Sequence, residues 1–349
     1  MIAPVTHILP LTLVSRSRML PSKGRVTARV GQNVNALDVV AEADLPGSHI
    51  LIDVRRILGL RRIDQAHRLI ERKPGERVEK GDILAQTGGI LSKVIRAPET
   101  SHIVSIQKGQ ILLEKSGEKF ELKAGLTGTI TKILPERGVF IETNGSLIQG
   151  LWGNGHINQG LLHFLAKDPL GELNRANLDV TLRGSVVVAG HVNKADTLQA
   201  CDDLLLRGLI LGSMSADLLK IARKVTFPVV VIDGFGEIPL NQLVFDLLKA
   251  HDKRDVSLNA GWDPIRGDRP EVVIPLPAFG QPPQETSIFI NGKTVRVLTM
   301  PYAGRIGKIV AIRPGLTKLS NGLRVSAAEI LLENSQVVTI PLANLDVLE

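Results

Sequence analysis

One cysteine, Cys201, is all the chain carries in 349 residues. That excludes an internal disulfide, a thiolate zinc site and an iron–sulfur cluster. It fits a reducing compartment, so a cytoplasmic protein is expected. Aromatic residues are also scarce, at 3%, and the cores must be built from Val, Ile and Leu. Such cores suit small β barrels and parallel strands better than base-stacking platforms. No uncharged run approaches the ~20 residues that span a bilayer. Met1 to Val14 is apolar but holds Pro4 and Pro10 with no basic residue ahead of it, so it does not read as a signal peptide. Ile8 to Val14 reads instead as a first strand, with Pro10 placing it at a sheet edge. Catalytic signatures are missing too. No G-x-G-x-x-G follows a strand, no phosphate loop ends in Gly-Lys-Ser/Thr, and no histidines stand at metal-ligand spacing. No metal and no cofactor is expected.

What is present is length, charge and repetition. The length calls for two to four domains. The formal charge of +7 is unevenly placed: residues 1–125 hold 20 Lys/Arg against 13 Asp/Glu, and the remainder holds 22 against 22. Arg55, Arg56, Arg61, Arg62, Arg68, Arg72 and Lys73 cluster there. They form either a solvated face or a surface for an anionic partner.

An internal repeat has an offset of 44 residues. Gly31, Val34, Asp38 and Ala41 recur as Gly75, Val78, Asp82 and Ala85, each copy reading as turn, inward Val, tight turn and apolar strand. From about Leu178 the texture changes. Val186–Ala189, Leu209–Leu211 and Val229–Ile232 read as buried strands ending at Gly190, Gly212 and Asp233. Helices are expected from Asn193 to about Leu206, after Ser215, and from Pro239 to about Ala250. This order implies a small parallel sheet with right-handed crossovers.

Two segments resemble known families. Residues 21–114 resemble the biotinyl/lipoyl barrel-sandwich hybrids through Gly75, Val78, Gly81-Asp82, Ala97-Pro98 and Gly109. The resemblance implies two pseudo-symmetric halves. In carriers a modified lysine sits about eight residues before the proline. Ile90 stands there, in a tip reading Gly88-Gly89-Ile90, and Lys93 lies three places late. A docking or scaffolding role without cofactor attachment is therefore implied. Residues 299–349 resemble a KOW-type barrel through Gly304-Arg-Ile-Gly307-Lys-Ile-Val and Ile340-Pro-Leu-Ala-Asn-Leu345. That resemblance implies loops touching RNA or protein, with Arg305 and Lys308 on phosphate.

The expectation is a multidomain α+β chain, mostly β, of lipoyl-like and other small barrels with one small parallel Rossmann-like α/β unit. Its parts are an N-terminal strand (1–20), a lipoyl-like hybrid (21–120), a small β module (121–175), the α/β unit (176–260), a Pro/Gly-rich linker (261–287) and a KOW-like barrel (288–349). Ligands of parallel sheets bind beyond the C-terminal strand ends, where His191, Ser213, Asp233, Gly234 and Gly236 stand. A hydrolase reading makes Ser213 the nucleophile, His191 its base and Asp233 the orienting acid. Trp152, flanked by Gly150, Gly153 and Gly155, reads as a barrel plug in a tight turn or as a contact surface. The leading functional expectation is a noncatalytic interaction protein with a protein partner. The alternatives are a nucleic-acid binder using Arg55, Arg56, Arg61, Arg62, Arg305 and Lys308, and an enzyme or ligand sensor using the α/β crevice.

Overall fold

The computed structural model describes the whole chain apart from residues 1, 46, 89–91, 116, 118, 285 and 320. The protein is mostly β, with several sheets. Its backbone is an 11-stranded sheet that runs through regions the sequence reads as separate modules. The strands Ser185–Val192, Gly208–Met214 and Val229–Phe235 are parallel, as is Ile157–Phe164 beside Ser185–Val192. Asp255–Asn259, Glu271–Pro275 and Gly138–Gln149 extend the sheet antiparallel from there.

Both faces of the parallel part are covered, which explains its unbroken apolar runs. Val186, Val188, Ile210 and Val230 pack with Val244 and Leu248 of the Gln242–Ala250 helix. Val187, Ala189, Leu209 and Val231 face the other way, toward Leu198 and Cys201 of the Ala195–Asp203 helix. Trp152 belongs to this second core, edge-on to Phe235 at 5.9 Å, and is only 3% exposed. It is neither a contact surface nor the plug of a neighbouring barrel. The residues expected as a linker contain a core strand, because Val272, Val273 and Ile274 are buried in the large sheet. Residues 121–175 have no core of their own: Ile130 and Ile141 pack with the preceding repeat, and Leu162 packs under the parallel strands.

The two copies of the repeat adopt one conformation twice. Gly31 and Gly75 both have positive φ (82° and 88°), which glycine adopts without strain. In each copy the aspartate closes the second turn by accepting an amide three residues back, Asn35 N–H to Asp38 at 2.8 Å and Glu79 N–H to Asp82 at 3.0 Å. Each glycine amide donates to an isoleucine on a partner strand, Gly31 to Ile130 (2.8 Å) and Gly75 to Ile103 (2.7 Å). The copies are nevertheless not two halves of one core. The first packs around Val34, Val40 and Ile130, the second around Val78, Leu84 and Ile103.

The second unit is inserted into the first. Val39–Asp44 leads out and Lys119–Lys123 returns antiparallel beside it, with Lys119 opposite Asp44. The crossing is tight: a Cβ on Gly47 would lie 1.8 Å from the Lys115 carbonyl oxygen, and one on Gly117 would lie 2.0 Å from that of Leu45.

The N-terminal residues stitch the chain together. Ile8–Met19 is an edge strand along Gly138–Gln149. Val5–Thr6 pairs parallel with Leu345–Leu348, completing a six-stranded C-terminal sheet.

Candidate functional site

His191, Ser213 and Asp233 do not stand in loops. Each strand runs past its glycine, so all three are strand residues, with His191 in register with Ser213 and Ser213 with Gly234. The glycines admit the protein's own chain: a Cβ on Gly190 would sit 2.6 Å from the Gly171 amide, and one on Gly212 would sit 2.7 Å from Leu240. Leu240 N–H in turn donates to Pro169 O at 2.8 Å. Gly234 and Gly236, at φ 142° and 100°, turn the chain back over the ends. A cavity of about 260 Å³ remains alongside, lined by Lys167, Glu172 and Asn177 among others, and its lining includes none of the five expected residues.

Two of the three side chains meet. His191 Nδ1 lies 2.9 Å from Ser213 Oγ, both residues being buried. Ser213 also accepts the Ile238 amide at 3.2 Å. Asp233 is turned elsewhere. Its oxygens accept from the Asn241 amide (2.8 Å) and side chain (2.9 Å), and from Arg296 at 3.2 Å. No nucleophile–base–acid relay is assembled.

Arg296, which stands in no recognisable motif, is fully buried between two carboxylates. One arm reaches Asp233 and the other reaches Asp346 at 2.8 Å. Asp346 also accepts from Thr6 Oγ1 and lies 3.4 Å from Arg269. This chain of charges joins the parallel strands, the C-terminal sheet, the N-terminal strand and the segment before Glu271. Burial pushes the Asp233 carboxyl above its ordinary range, and Arg296 opposes that shift. Arg296 Nε and Asp346 Oδ1 have no partner. The arrangement serves as a structural joint, an arginine that a buried carboxylate on either side requires.

The basic cluster lies on the inserted unit. Val54–Leu58 and Ile63–Arg68 form two short helices at its end, burying Val54, Leu58 and Ala66. Asp53 caps the first by accepting Arg56 N–H at 2.9 Å, and this bond lowers its carboxyl pKa. Outward point Arg55, Arg56, Arg61, Arg62 and Arg68, together with Ile57 (56% exposed) and Ile63 (43%). Among the described residues their one ion pair is Arg62–Asp64, at 3.6 Å between two exposed side chains. Arg305 and Lys308 are also exposed but belong to the C-terminal sheet, which has a separate core. The hairpin-tip residues Gly89 and Ile90 lie outside the described residues. Lys93 is exposed at the hairpin's base, where its amide donates to Thr87 Oγ1 at 2.8 Å.

Among the described residues no helix is long and apolar enough to cross a membrane, and no three or more His, Cys, Asp or Glu side chains group as a metal site. No family model and no curated protein matches the chain.

Proposed function

We propose that the protein is a noncatalytic interaction protein and that its inserted unit is a docking head for an acidic protein partner. The observation that carries this reading is the composition at the head's end: five exposed arginines and two exposed isoleucines lie on and between two short helices of a unit with its own core. Arginine with aliphatic anchors is the composition of protein interfaces, whereas phosphate-backbone binding has no use for exposed isoleucine. The closed strand ends and the diverted Asp233 support a noncatalytic role.

In this reading the repeated units are lipoyl-like folds without a carried cofactor. The parallel strands are a Rossmann-like spacer and the last sheet is a KOW-like barrel, all within the cytoplasm.

Fluorescence anisotropy tests it, with a labelled acidic amphipathic peptide of Glu and Leu and, in parallel, a duplex RNA. Reversing Arg55, Arg56, Arg61 and Arg62 to Glu should abolish peptide binding. Ile57→Ser with Ile63→Ser should weaken it about tenfold, the loss of two interface anchors. RNA binding tighter than peptide binding and indifferent to the serine pair would replace this reading with the nucleic-acid one. No peptide binding at low salt would end it.

A further inference from the structure

A cavity of about 490 Å³ lies far from both expected sites in sequence terms. It opens between the Ile8–Met19 strand, the turn at Gly125 and the hairpin that follows Gly261. Its volume is that of a small-ligand pocket. Three arginines line it, and two are engaged. Arg16 grips Glu271 with Nε at 2.9 Å and Nη2 at 2.7 Å, and Gln149 donates to the same carboxylate at 2.9 Å. Arg269 is held by Thr6 and Asp346.

Arg18 is the exception. It is half-buried and donates Nε to the Lys123 carbonyl at 3.1 Å, with no carboxylate in ion-pair contact among the described residues. Gly125 makes its position possible: at φ 82° this residue leaves open the space where a Cβ would lie 3.1 Å from the guanidinium carbon. One hydrogen bond thus anchors the head group, and burial lowers the Arg18 pKa while the Glu271 and Asp268 charges raise it.

Trp262 lines the same cavity and is 38% exposed, whereas Trp152 is 3% exposed. Beyond it a short hairpin is closed by paired amide–carbonyl bonds between Asp263 and Asp268, at 3.1 and 2.9 Å. Both aspartates line the cavity, which disfavours ligands carrying more than one anionic group.

We propose that this cavity binds a small organic acid with a flat ring and a single phosphate or carboxylate. Arg18 takes the anionic group through the terminal nitrogens of its planar guanidinium, and Trp262 takes the ring. The neutral Arg16–Glu271 pair and Gln149 add polar lining to the same cavity.

The two tryptophans give a local readout, because only Trp262 is open to a ligand. Titrating the full chain with adenosine monophosphate and with benzoate, excited at 295 nm and paralleled by calorimetry, separates phosphate from carboxylate ligands. Adenosine and inorganic phosphate each supply half of the ligand. At least one of the two acids should quench emission saturably, and neither half-ligand should match it. Arg18→Gln should weaken binding about tenfold or more, the effect of losing a charge-assisted fork. Trp262→Phe should remove the emission change while calorimetry still detects binding. Absence of binding to the wild-type chain at millimolar concentrations would overturn the proposal without any variant. So would unchanged affinity in a folded Arg18→Gln protein.

Discussion

Replacing Arg296 by Met removes the cation that touches both Asp233 and Asp346. Met fills much of the same volume, so the effect is chiefly electrostatic. Asp233 keeps its Asn241 bonds but loses the Arg296 ion pair, and Asp346 keeps Thr6 and the longer Arg269 contact. Breaking a buried pair in this way costs about 3–5 kcal/mol, because a desolvated carboxylate is left behind. A protein of this size is stable by about 5–15 kcal/mol, so the loss should be plain in urea unfolding. Since the joint ties the C-terminal sheet to the parallel strands, amide exchange should rise first across Thr294–Val297 and Leu345–Leu348. Replacing all three residues together, Asp233→Leu, Arg296→Met and Asp346→Leu, should recover most of the loss, because no buried charge then lacks a partner. A single Arg296→Met protein within about 0.5 kcal/mol of wild type, inside ordinary surface-mutation scatter, would refute the reasoning.

Two further outcomes follow from burial of ionisable groups. Cys201 is buried among apolar side chains, and its thiol is pushed up to about 12. At pH 8 its thiolate is then only about one part in 10,000, so it should resist a thiol reagent in the native protein and react at once in urea. His7 and His251 both have pKa values lowered by burial, with Arg16 and Arg254 respectively adding to the effect. The unfolded chain therefore takes up these protons first. Stability from both histidines is present above about pH 6.5 and falls as the pH drops toward their folded values. Thermal melts at pH 7.5 and 5.5 should differ by more in wild type than in a His7→Gln, His251→Gln protein, and an equal difference would exclude these groups.

The local elements were legible because they depend on neighbouring residues. The runs around Val187, Ile210 and Val230 announce buried strands, and the 44-residue repeat announces a turn that the hydrogen bonds show twice. A second half of that repeat went unread. Ala97, Thr100 and Ile103 recur as Ala124, Thr127 and Ile130, the partner segments of the two copies, and Ala97 N–H to Asp82 O (2.8 Å) matches Ala124 N–H to Asp38 O (2.9 Å). Comparing offsets in both directions would have exposed the nesting. The joint at Arg296 had no such signal, since its partners are 63 and 50 residues away. The strand ends at His191, Ser213 and Asp233 misled because a glycine after an apolar run permits close approach by any chain, including the protein's own.

The pairing of Val5–Thr6 with Leu345–Leu348 has a consequence for synthesis. During translation the Val5–Thr6 strand emerges more than 300 residues before its partner, and this sheet cannot close until Leu345–Leu348 have left the ribosome. Contacts of such sequence separation form slowly. Throughout that interval the Val5–Thr6 strand lacks its partner and is available to other nascent chains. Expression of this protein should therefore be unusually responsive to chaperones that hold extended segments.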